Sequence, residues 1–388
     1  VLTVLFINVL VFLLLSRLPN TPSIPNLLLL FLLFWSISVA YLLGSLQLSG
    51  SGIEGAFYSD EIGYLTGWQR FDIWSDPRAA WYALNYLLIE YDLSSLYALK
   101  LVNVALGLLL AVGLRALYPQ LPNLHLLLII FLPYLVPLMT SNLRDLVIFS
   151  SSVIAVLSIK NRMYMVASIM ILLLLFTRPL MIPILAGCGV LAFALKSQHY
   201  QLRLKLKVFA ALSVFGGLAL FLTWDWIQGY LRYMDHLRVF GGEHRTVLTE
   251  TTDVSQTYIE ALLKSIFTPL PTSLAYRLLS GGATDWGYLH DVLRIINQSV
   301  YWGMIIYLCQ SFIRRTKYSV RTLLNLDIYQ IAILLFFISF AIVYSTHLAG
   351  VGHQRLKYPF QVAIFIISYL LWVSARKRNN SITESASQ

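Results

Sequence analysis

Two adjacent carboxylates, Asp60 and Glu61, stand in the segment Tyr58-Ser59-Asp60-Glu61-Ile62-Gly63-Tyr64, shortly after a long apolar run. A carboxylate near a membrane surface is partly desolvated. Its pKa rises, which suits it to take a proton from a hydroxyl. The plain alternative is a solvated acidic turn. Arg144 and Asp145 follow one another in the tight turn Thr140-Ser141-Asn142-Leu143-Arg144-Asp145, between two apolar runs. Charges so close to hydrocarbon are costly unless paired or functional, and a guanidinium matches a phosphate. The alternative there is a local ion pair that marks a helix end. Arg178 lies in Phe176-Thr177-Arg178-Pro179, where Pro179 suits the first turn of the next helix. A snorkelling Arg at a span end would look the same. His347, His353, Arg355 and Lys357 gather between Ser345 and Phe360, just before another apolar run. They mark either a bound anion or contact with lipid headgroups.

The elements that must position these residues are set by hydropathy. The 388 residues are 58% hydrophobic and 12% charged, with a mean hydropathy of +0.72. Soluble domains carry about twice that share of charge. An ordinary soluble enzyme, a disordered chain and a nucleic-acid-binding domain are excluded, and a polytopic membrane protein remains. Cys188 and Cys309 both lie in apolar runs and give neither a disulfide framework nor metal spacing.

Eleven apolar runs are candidate spans: 1–15, 26–48, 95–117, 124–140, 145–159, 164–177, 180–196, 207–223, 299–313, 328–344 and 359–375. The first has no small-residue cleavage site after it and reads as a span. Basic clusters at 160–162, 196–207, 314–321 and 376–378 fall on one side if the spans alternate, together with Arg17 and Arg115. That side then holds 15 Lys/Arg against two acids, Asp327 and Glu384, while the other holds 13 against 16. This is the positive-inside pattern, with the C-terminus inside. The net charge of +10 therefore reflects orientation rather than an anionic partner.

The chain divides into N-terminal spans (1–48), a first outer loop (49–94), a central group of spans (95–223), a large outer loop (224–298), C-terminal spans (299–375) and a cytoplasmic tail (376–388). The first outer loop is rich in Trp and Tyr, and 79–93 reads as an amphipathic helix lying on the membrane. The second contains Gly241-Gly242-Glu243-His244-Arg245 and helix-like stretches at 258–267 and 286–297. Its length and position suit an acceptor-binding lid, which gives His244 and Arg245 a substrate-binding role. Residues 379–388 read as a disordered tail.

Joined on one outer face, Arg144, Arg178, His353, Arg355 and Lys357 would hold the phosphate of a lipid-linked donor and stabilise the charge that grows as it leaves. Asp60 or Glu61 would deprotonate the attacking hydroxyl. This layout resembles the glycosyltransferase-C superfamily of polytopic membrane enzymes. Asp60-Glu61 with Tyr64 is similar to its acidic first-loop motif, 79–93 to its juxtamembrane helix, and Arg355-Leu356-Lys357-Tyr358-Pro359 to a late Arg-x-x-x-Pro segment. The resemblance covers most of the chain in layout and only short motifs in residues.

The resemblance implies an all-α fold of about eleven transmembrane helices with two larger outer loops. It implies inverting transfer of a sugar from a polyprenyl-phosphate donor to a glycan or lipid acceptor, with Asp60 as base, Glu61 beside it, and Tyr64 and Asp145 touching substrate. It places the protein in a bacterial inner membrane with its site on the periplasmic face. Some members use a divalent cation and others none. No metal cluster is visible here, since His236, His244 and His290 lack metal spacing, so no cofactor is expected. The superfamily's large soluble C-terminal domain is absent from this sequence. A polymerase of lipid-linked polysaccharide repeat units stays open, as does a transporter of a lipid-linked glycan. The transporter would call for charge at mid-membrane and matching halves, and neither is visible.

Overall fold

The computed structural model describes residues 2–18, 21–48, 79–121, 135–141, 144–196, 267, 270–281, 288–348 and 354–386. Thirteen helices form among them, and no strand does. They are α1 (Leu2–Arg17), α2 (Ile24–Leu48), α3 (Ala79–Glu90), α4 (Leu96–Leu99), α5 (Val102–Leu117), α6 (Leu135–Met139) and α7 (Asp145–Lys160). Then come α8 (Tyr164–Thr177), α9 (Met181–Lys196), α10 (Pro271–Leu279), α11 (Tyr288–Leu324), α12 (Ile328–Leu348) and α13 (Gln354–Ala386).

Three stretches are long and apolar enough to cross a membrane: Ile24–Gly44, Asp291–Arg314 and Tyr358–Arg376. Five shorter apolar helices accompany them, in α1, α5, α8, α9 and α12. The fold is thus all-helical with membrane-spanning character. Residues 124–134 of the expected run 124–140, and all of the run 207–223, lie outside the described residues.

The centre of the molecule is α7. Every residue from Asp145 to Ser158 is buried, and α5 is buried almost as completely. A helix that is apolar all round needs partners on every side. Around α7 these are α5, α6, α8, α12 and α13. The outer helices are different. On α8 the side chains of Ile169, Ile171, Leu172, Leu173, Leu175 and Phe176 are exposed, and on α1 so are Leu5, Phe6, Val9, Leu10 and Leu13. Apolar faces this continuous are a liability in water and ordinary against lipid tails.

Small residues allow the close approach at the centre. A Cβ built on Gly113 of α5 would lie 2.8 Å from Ile154 Cδ1 and 3.0 Å from Val153 Cγ1 of α7. One on Gly107 would meet Met139 of α6 at 2.5 Å. Ser150 and Ser152 of α7 stay buried because their hydroxyls donate back to the Leu146 and Ile148 carbonyls, at 2.6 and 2.8 Å.

α7 and α8 form an antiparallel hairpin. Its turn is a Schellman motif: Met163 N–H donates to the Ser158 carbonyl at 2.8 Å and Arg162 N–H to Ile159 at 3.1 Å. Arg162 takes the left-handed position usually given to glycine, with φ 60°. At this end α5, α7 and α12 are joined by polar contacts. Lys160 Nζ meets Asp327 Oδ2 at 2.6 Å, and Tyr118 donates to the Gln330 carbonyl at 2.6 Å. Gln330 Nε2 donates to the Leu117 carbonyl at 2.7 Å. Asp327 caps α12 in a reciprocal box with Gln330: Gln330 N–H reaches Asp327 Oδ1 at 2.8 Å and Asp327 N–H reaches Gln330 Oε1 at 3.0 Å. Burial, and then the Asp327 carboxylate, push the Tyr118 hydroxyl well above its usual pKa, which keeps it a donor.

Several boundaries differ from the sequence expectation. The run 95–117 is broken: α4 is capped by Ser95, whose hydroxyl accepts from Ala98 N–H at 3.2 Å, and α5 starts after Lys100. The stretch 286–297, assigned to the outer loop, is continuous with the following span in α11 from Tyr288 onward. Its polar residues lower the hydropathy, but they are buried against α13. In α11 the Ser319 hydroxyl donates to the Ser311 carbonyl at 3.3 Å. Eight residues of straight helix would separate them by about 12 Å, so α11 bends sharply through its basic run. Residues 379–386 are helical rather than disordered, because extending an already formed helix needs no new nucleus. The helix at 79–90 is present, but it is not amphipathic as expected. Leu84, Leu87 and Tyr91 are exposed on its outer side, and Tyr82 and Asn85 are buried.

Candidate functional site

One end of the bundle gathers several of the expected residues. The α7–α8 hairpin brings the start of α7, with Arg144 and Asp145, to the same end as the last turn of α8, with Thr177 and Arg178. Asp145 is 4% exposed and sits in the first turn of α7, where the helix dipole favours a carboxylate. Arg144 is the N-cap residue, and its carbonyl accepts from Ile148 N–H at 3.1 Å. Arg178 follows α8, with its N–H on the Leu174 carbonyl at 2.7 Å and its own carbonyl accepting from Met181 N–H at 2.9 Å. Both arginines are half-buried.

The start of α13 belongs to this end. Tyr358 lies against Phe149, one turn into α7, with ring centroids 5.9 Å apart. Phe340 of α12 completes the group, 5.1 Å from Phe149 and edge-on to it. Arg355 and Lys357 therefore occupy the first turn of α13 at the Asp145 end. Pro359 removes the N–H that would pair with the Arg355 carbonyl inside the helix. Asp60, Glu61, Tyr64, His244, Arg245 and His353 lie outside the described residues.

Sequence reading passed over two residues here. Lys100 is 1% exposed, and its ammonium donates to the Thr140 carbonyl at 3.4 Å. Asn103 Nδ2 donates to the carbonyls of Leu138, at 3.3 Å, and Ser141. Together they stitch the start of α5 to the turn that leads into Asp145. The available signal was a lysine inside an apolar run, since a buried ammonium has to be satisfied. With Lys100 buried, Arg144 and Arg178 half-buried and Arg355 and Lys357 in register, the Asp145 end is rich in cationic residues beside one buried carboxylate. An environment of this kind attracts and orients an oxyanion.

The opposite end carries a separate set. Arg115, Lys160, Arg162 and Arg321 lie at or just after helix ends there, and Arg376 lies within α13 beside them. Thr322 and Ser374, 3.2 Å apart, join α11 to α13 at this end. Among the described residues, five of the fifteen basic residues that span alternation puts on one side lie at this end. Among the described residues no group of three or more His, Cys, Asp or Glu is placed to hold a metal ion.

Comparison with family models, with curated proteins and with solved structures finds no match to this chain.

Proposed function

We propose that the chain is a membrane glycosyltransferase. It moves a sugar from a polyprenyl-phosphate donor to a glycan or lipid acceptor at the Asp145 end, which faces the periplasm of a bacterial inner membrane. The reading includes about eleven spans, of which the described helices account for part. The observation that carries it is the convergence of Arg144, Arg178 and the Arg355–Lys357 turn at one end of an apolar bundle. Cations at the rim of a bilayer suit a donor whose tail lies in lipid and whose phosphate sits at the surface.

In this reading the cations hold the donor phosphate as the bond from sugar carbon to phosphate oxygen breaks. Asp60 takes the proton from the acceptor hydroxyl, whose oxygen attacks the opposite face of that carbon. Glu61 supports Asp60, and Tyr64 and Asp145 orient the sugar. His244 and Arg245 contact the acceptor from the large loop, and His353 joins the phosphate set. No cofactor is required by this scheme, and Asp60 and Glu61 alone are too few ligands to hold a divalent cation.

The test is transfer from polyprenyl-phosphate sugars by purified protein, with Asp60→Asn alongside. Transfer lost in a variant that still inserts and unfolds like wild type supports the base role. An active Asp60→Asn protein removes Asp60 from it.

A further inference from the structure

Inside the span region, α11 and α13 bury a stripe of polar side chains. Asp291, Arg294, Asn297 and Gln298 of α11 are at most 6% exposed, and Gln361 of α13 is 2% exposed. Asn297 Nδ2 donates to Gln361 Oε1 at 3.3 Å, which fixes the orientation of the Gln361 amide. Arg294 lies one turn before Asn297 and Tyr358 one turn before Gln361, so the four side chains occupy adjacent turns of two packed helices.

Three polar atoms in this group have no hydrogen-bond partner among the described residues: Arg294 Nε, Gln361 Nε2 and the Tyr358 hydroxyl. All three carry a hydrogen to donate. Asp291 Oδ1 lies 3.4 Å from Arg294 Nη1. That is roughly half an ångström longer than a good charge-assisted bond, so the guanidinium is not saturated. Buried donors left unmade are costly. Three unmet donors, one of them on a cation, are matched by a ligand that offers acceptors.

We propose that α11 and α13 hold a phosphate oxyanion between Arg294, Gln361 and Tyr358. On its other side α11 exposes Val292, Ile296 and Ile306, so the site lies one helix width from lipid. A phosphate monoester on a lipid tail and free phosphate share the required chemistry. The site uses other side chains than the set at Arg144 and Arg178 and does not require sugar transfer. If phosphate binds here and no sugar is transferred, this inference stands and the transferase reading falls.

The experiment uses the full chain in nanodiscs of neutral lipid, with binding and thermal unfolding measured against inorganic phosphate and against a polyprenyl monophosphate. Gln361→Glu keeps the oxygen that Asn297 needs and replaces the unmet donor with an anionic acceptor. Its affinity should fall by about tenfold or more, the effect of losing one charge-assisted contact. Tyr358→Phe removes an unsatisfied hydroxyl. Without ligand it should unfold at or above the wild-type temperature, and added phosphate should stabilise it less. Response to the lipid ester alone identifies a headgroup site, and response to both identifies a site for the phosphate group itself. Response to neither overturns the proposal. So does a Gln361→Glu protein that binds like wild type, or a Tyr358→Phe protein that is less stable than wild type without ligand.

Discussion

Asp327 shows how much one side chain can do at a helix start. It accepts from Gln330 N–H as the cap of α12 and also pairs with Lys160 of α7. Both members of the pair are about a third exposed, so the ion pair itself is worth well under 1 kcal/mol after solvent screening. The cap contributes about 1 kcal/mol. Asp327→Ala is therefore expected to destabilise by about 1–2 kcal/mol and Lys160→Ala by about 0.5 kcal/mol or less. Thermal or denaturant unfolding in detergent separates the two, and equal losses would mean that the ion pair rather than the cap dominates. At the other end, Lys100 and Asp145 are buried charges in one small region. The sequence made Arg144, Asp145 and Arg178 visible because each interrupts an apolar pattern at a turn. Lys100 interrupts one as well, yet the apolar residues on both sides of it hid the break between α4 and α5.

At the scale of elements, the central crossing of α5 and α7 rests on Gly113. A larger side chain there meets Ile154 and Val153 at once, and only the Ile154 terminus has freedom to yield. Gly113→Leu is expected to cost about 1–3 kcal/mol, the usual penalty of overpacking, and to separate α5 from α7. Unfolding of purified protein measures the loss, and a Gly113→Leu protein as stable as wild type would refute the close crossing. The legible helices were those with sharp apolar edges. The run 164–177 matches α8, and 145–159 matches α7 to within one residue. The stretch 286–297 was misplaced because Asp291, Arg294, Asn297 and Gln298 look like loop surface in one dimension. In three dimensions they form the buried face of α11. The bend between Ser311 and Ser319 has no proline to announce it, and only the hydrogen bond between those residues reveals it.

At the scale of the whole molecule, Arg115, Lys160 and Arg321 lie at one end of the described bundle. Arg17, Arg115, Lys160, Arg314, Arg321 and Arg376 were sorted to one side by alternation of spans. The structure brings the ends of α5, α7 and α12 together independently, through Lys160, Asp327, Tyr118 and Gln330. Sidedness can be measured directly. Tyr91→Cys and Arg376→Cys place thiols on exposed residues at opposite ends. In intact cells a membrane-impermeant maleimide is expected to label Tyr91→Cys and to spare Arg376→Cys until the membrane is opened. The reverse pattern would turn the Asp145 end toward the cytoplasm and remove the periplasmic site.

The most direct test of the account compares the two ends in one assay. Consumption of polyprenyl-phosphate monosaccharides is measured for purified wild type, Arg178→Ala and Arg376→Ala, each checked for folding by thermal unfolding. Wild type is expected to consume at least one donor. Arg178→Ala should lose about a hundredfold in rate, as expected when a group that stabilises a developing oxyanion is removed, and Arg376→Ala should stay close to wild type. Folded wild type that consumes no donor, or equal losses in both variants, would contradict it.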